Sequence, residues 1–120
     1  MTTIHAKRLT TFSVAEDGAT VAIGVADEEG QVGALVLPAD CLRALMMTLP
    51  EMMRRALRLQ QGDPSLRLVY PVAEWEIERS TNRETLIVTL GTSDGFHVSF
   101  AMTADDLREM GEAVSRRVMH

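Results

Sequence analysis

Several side chains in this sequence belong to types that do chemistry, and each also has a plain structural reading. Cys41 lies in the first turn of an expected helix, where the positive helix end can lower a thiol pKa and make it nucleophilic. A nucleophile also needs a base, and the only mid-chain histidine is His97. No motif places the two together, and cysteine is commonly a small buried hydrophobe. His5, His97 and His120 have no metal-ligand spacing. His5 and His120 are terminal, and His97, between Phe96 and Val98, points to the opposite strand face as a surface or interface residue.

Glu74, Glu76 and Glu78 stand on one face of an expected strand, with Arg79 and Arg83 near enough to offset them. Such a row can bind a cation, but its usual role is to oppose edge-to-edge strand pairing. Arg43, Arg54 and Arg58 fall near one side of the first expected helix with Met47 among them. They form a possible recognition stripe for an acidic peptide or a phosphate. The alternative is a solvated face with Glu51 as local partner. Met46, Met47, Met52 and Met53 suit either an adaptable binding surface or a core. No glycine loop precedes a helix in a phosphate-cradling or dinucleotide spacing. No catalytic residue, metal site or cofactor is therefore assigned.

The composition bounds the function classes. A chain of 120 residues can bury a core without staples and is expected to form one domain. Hydrophobic residues make up 46% and charged residues 24%, ordinary globular usage and too apolar for a disordered chain. One cysteine excludes a disulfide framework or a thiolate metal cage within the chain. The apolar runs are strand-sized and the N-terminal stretch has no signal-peptide core, so no membrane association is expected and the default location is the cytosol. A net charge of −5 opposes binding to nucleic acid phosphates or anionic lipid. The basic residues are almost all arginine, with Lys7 the one lysine, which reflects either codon usage or bidentate pairing.

The elements that must position these groups follow from periodicity. Leu9–Val14 reads as a short strand. Val21, Ile23 and Val25 alternate with Thr20, Ala22 and Gly24, and Asp27-Glu28-Glu29-Gly30 closes a hairpin onto a return strand over 31–37. Pro38 to Gln60 reads as an amphipathic helix that Pro50 should kink or break near Thr48–Leu49 and that Gly62-Asp63-Pro64 should end. Residues 65–73, interrupted by Pro71, suit an edge strand or a linker. Trp75 and Ile77 point inward on the next strand. Leu86, Val88 and Leu90 follow, and Asp94-Gly95 turns the chain into a strand lined by Phe96, Val98, Phe100 and Met102. Thr103 and Asp106 resemble a capping box ahead of a helix whose apolar stripe is Leu107, Met110, Gly111, Val114 and Val118.

Shifted by 65 residues, the two halves register without a gap. Phe12 falls on Ile77, Val21 on Leu86, Gly30 on Gly95, and Ala-Asp-x-Leu-Arg recurs at both helix starts. The pattern predicts a duplicated strand-strand-strand-helix unit: repeat 1 over about 9–60, a linker over about 61–73 and repeat 2 over about 74–120. The expected fold class is α+β, with an antiparallel sheet of about six strands, two helices on one face and pseudo-two-fold symmetry. On the outer face the second repeat is mostly polar, whereas the first presents Ala22, Gly24, Val32, Ala34 and Val36. Small apolar residues there suggest that another surface packs on them, so they form a possible dimer face. The functional expectation is a small cytosolic binding domain of bacterial type, a non-catalytic homodimer with a protein or peptide partner. The alternative is a small-ligand-binding domain or enzyme with a pocket between the repeats, using arginines with His97 or Tyr70.

Overall fold

The computed structural model describes residues 1–82 and 84–118, and only the backbone of Val118. Arg83, expected to offset the carboxylate row, and His120 lie outside the described residues, as does the side chain of Val118. The chain divides into two compact units, Met1–Leu68 and Val69–His120.

The first unit is a three-stranded antiparallel meander, β1 (Arg8–Val14), β2 (Thr20–Ala26) and β3 (Val32–Pro38), followed by α1 (Ala39–Gln61). The second repeats the plan with β4 (Glu74–Arg79), β5 (Thr85–Gly91), β6 (His97–Thr103) and α2 (Ala104–Val118). The fold is α+β, and its six strands form two sheets of three rather than one continuous sheet. Each strand pairs with its sequence neighbour through a hairpin. The segment over 62–73, whose Pro64 and Pro71 cannot donate to a ladder, adds no strand.

Strand register is the same in the two units. Phe12 stands opposite Ile23 and Val21 opposite Leu37; 65 residues on, Ile77 stands opposite Val88 and Leu86 opposite Met102. The second hairpin of each unit closes identically. In the first, Asp27 N–H donates to the Gln31 carbonyl (3.0 Å) and Gly30 N–H to the Asp27 carbonyl (3.1 Å). In the second, Thr92 N–H donates to Phe96 (2.9 Å) and Gly95 N–H to Thr92 (3.2 Å). Gly30 and Gly95 hold φ of 83° and 96°, a left-handed conformation open to glycine at no steric cost.

The correspondence breaks at one place. In β1 the register slips between Leu9, opposite Val25, and Phe12, opposite Ile23. Thr10 and Thr11 thus share the single partner Gly24, a β-bulge of one extra residue. In β4 the equivalent residue is Glu76 alone, opposite Thr89. The gapless alignment therefore holds from Phe12 onward, and Leu9 is the structural counterpart of Trp75. The bulge has a purpose in the pleat. Leu9 and Phe12 are three residues apart and would face opposite ways in a regular strand; the extra residue turns both to the apolar face.

Both helices begin on the residue after a strand, with no loop between. Pro38 is the N-cap of α1 in extended geometry and makes no side-chain cap. Thr103 caps α2 as expected, its hydroxyl accepting from the Asp106 N–H at 3.0 Å. Gly62, at φ 64°, closes α1 with its N–H on the Arg58 carbonyl. Of the kink or break expected near Thr48–Leu49, the break does not occur: α1 runs through Pro50 as one helix of 23 residues. Pro50 removes only the bond to the Met46 carbonyl. Both residues are exposed, so water can take that acceptor.

Candidate functional site

The suggested recognition stripe shares one side of α1, but its members have different tasks. Arg58 is half-buried, and its Nε donates to the Leu66 carbonyl at 2.7 Å, tying the segment after the helix back onto it. Arg54 pairs with Glu51, which also accepts from Arg55 Nε at 2.9 Å, a contact the sequence reading missed. Arg43 and Met47 are exposed, Met47 at 80%. The stripe is thus part anchor, part intrahelical ion pair and part open surface.

The register brings Ala22, Gly24, Val32, Ala34 and Val36 onto one sheet face, with Ala22 opposite Val36 and Gly24 opposite Ala34. Val32, Ala34 and Val36 on edge strand β3 are exposed, while Ala22 and Gly24 on the central strand are half-buried. Gly24 has a reason of its own within the unit. A Cβ there would run into the Thr10 side chain and lie 3.2 Å from the Thr11 carbonyl oxygen, so the bulge requires glycine beneath it. Cys41 is an exposed free thiol in the first turn of α1.

Sequence reasoning missed one arrangement. Glu74 and His97 sit at matching positions on β4 and β6, each opposite Gly91 of the central strand. Because Gly91 has no side chain, the two reach across it: His97 Nε2 lies 2.6 Å from Glu74 Oε1. His97 Nδ1 lies 2.9 Å from the Gly95 carbonyl. Both partners are acceptors, so both contacts are hydrogen bonds only when the ring carries two protons. The Glu74 hydrogen bond, then the Gly95 carbonyl, raises the His97 pKa above its ordinary 6.5. In its doubly protonated form the ring has no free lone pair for a metal or for general-base work. Nearby, the rings of Tyr70 and Phe96 meet at 5.5 Å and 43°. Among the described residues no cluster of His, Cys, Asp and Glu has the makings of a metal site.

This pair gives a pH prediction. A histidine with a raised folded-state pKa adds stability that is fully present below its unfolded value and is lost as pH rises through the folded value. The pair is exposed and screened, so the effect on stability is small. It should be plain by NMR: the His97 imidazole titrates with a midpoint above 6.5, and Glu74→Gln brings that midpoint down. An unchanged midpoint in the variant would show that the contact does not persist in solution.

The inner faces of both sheets are apolar and carry exposed large side chains. The inner face of the first sheet carries Leu9, Phe12, Val14, Ile23 and Leu35; that of the second carries Trp75, Ile77, Val88, Leu90 and Phe100. Phe12 is 76% exposed, Trp75 68% and Phe100 51%. The helix stripes are open as well: α1 holds no buried residue, and Met46, Met52, Met110 and Val114 are exposed. Among the described residues only Ala26 and Val88 are buried hydrophobics. Two concavities among the described residues, one along α2 beside Met102 and Met110 and one between residues 3–5 and 27–29, are open troughs. No helix among the described residues is long and apolar enough to cross a membrane. Comparisons with protein-family models, curated proteins and solved structures found no match for this chain.

Proposed function

We propose that this chain is a cytosolic binding module that acts as a homodimer, without catalysis, and engages a protein or peptide partner. The observation that carries this reading is the open apolar face of each sheet beside the open apolar stripe of each helix. Covering one large apolar side chain is worth about 1.5–3 kcal/mol, so leaving Phe12, Trp75 and Phe100 in water forgoes most of the stabilisation that orders a small domain. Among the described residues His97 is the histidine in a built polar contact, and in its doubly protonated form both nitrogens are occupied, which favours binding over acid–base chemistry. A single cysteine accords with a reducing compartment.

Light scattering on the purified chain tests assembly. The expected mass is twice the 13.2 kDa of one chain, held on dilution through the micromolar range. A monomer at all concentrations would overturn the reading.

A further inference from the structure

Resting on the dimer reading, we infer that the two copies assemble by exchanging helices: the apolar stripes of α1 and α2 in one chain cover the inner sheet faces of a second copy. The first observation is the strand–helix junction. Pro38 ends β3 and Ala39 begins α1; Thr103 ends β6 and Ala104 begins α2. A helix that folds back on the strand it follows needs a connection of about 2–6 residues to reverse direction. Neither junction has one, and the same omission in both repeats marks a retained feature of the unit. Each helix accordingly leaves its own sheet with its stripe open, as Met46 and Met110, 62% and 55% exposed, report.

The second observation identifies the occupant. What each sheet lacks is an amphipathic helix, and what each helix lacks is an apolar sheet face. A copy of this chain supplies both, two of each, with the same register between the second and third strands of both units. Charge agrees. The chain carries −5, yet neither inner face holds a carboxylate, and Arg79 is the one ionised group on them, so like-charge repulsion between copies stays outside the contact. Area agrees too. At roughly 60–120 Å² per large side chain, covering a dozen such residues buries on the order of 1,000 Å² per chain, above the ~800 Å² per partner of a standard interface.

The test mixes ¹⁵N-labelled and unlabelled full-length chains, one of the two carrying a photoreactive benzoylphenylalanine in place of Met53 or Met110. The mixture is refolded together, irradiated and read by mass spectrometry. The expected result is helix-to-strand cross-links that join a heavy chain to a light one. Cross-links confined within single chains, or none between helix and sheet, overturn the exchange even where the chain is a dimer. A monomer by light scattering removes the dimer reading itself, so the two failures are distinct. A second arm needs no cross-linker: Phe100→Glu in one chain and Met110→Glu in the other. Each variant alone should lose assembly, and the mixture should recover it, because the intact helices of the first meet the intact sheets of the second. A Met110→Glu chain that stays dimeric alone, or a mixture that fails to associate, also overturns the exchange.

Discussion

Trp75→Ala is expected to cost about 3–5 kcal/mol of stability, the cost of truncating a large aromatic side chain in a packed core. The value is diagnostic because Trp75 is 68% exposed in the single chain. An exposed position of that kind would lose no more than about 0.5 kcal/mol. The two situations therefore differ several-fold in one measurement, urea unfolding at two chain concentrations. If a second copy covers the inner face, the loss is large and the transition midpoint of the parent chain rises with concentration. Val32→Ser on the outer face of the first unit is the companion variant, its side chain 75% exposed. Should assembly use the small-residue face instead, Val32→Ser carries the loss and Trp75→Ala is nearly silent.

Gly24→Ala is the second large effect, at about 1–3 kcal/mol, the usual range for forcing extra volume into a packed site. The obstruction is partly backbone. A Cβ at Gly24 would meet the Thr10 side chain and sit 3.2–3.3 Å from Thr11 backbone atoms, which the bulge holds in place. Gly91→Ala is a useful contrast, because there the atoms in the way belong to the movable side chains of His97 and Glu74. It should cost less and return the His97 titration toward 6.5. The bulge explanation also predicts a rescue. Deleting Thr10 together with Gly24→Thr restores the one-to-one pairing that Glu76 and Thr89 show in the second unit, and thermal unfolding should recover most of the loss. A Gly24→Ala chain as stable as the parent would sink this account.

Much of the fold was legible because period-2 alternation is strong in both repeats. Val21, Ile23 and Val25 face one way, as do Leu86, Val88 and Leu90, and the turn glycines and the Thr103 cap sit where their chemistry placed them. The bulge was not legible, since Leu-Thr-Thr-Phe reads as plain strand until Gly24 is set opposite it. The Glu74–His97 contact depends on cross-strand register through β5. Its signal was present in a glycine at a strand end with polar residues at the matching positions on either side. Pro50 does not break the helix because its helical cost is an interior average, whereas here the freed carbonyl belongs to an exposed residue. The outer face drew attention through its unusual composition. The inner face, with the ordinary composition of a core, proved to be exposed as well, with Phe12 and Leu9 as open as Val32 on the outer face.

The meander connectivity of each sheet has a consequence for biosynthesis. Every strand pairs with the one before or after it, so neither sheet has to close a long loop and each can form from a short local stretch of chain. Residues 8–38 therefore complete their sheet while the second unit is still being made, and they present Phe12 and Leu35 to the surroundings before any cover exists. That interval, more than the finished protein, is where a newly made chain is exposed to aggregation and to chaperones.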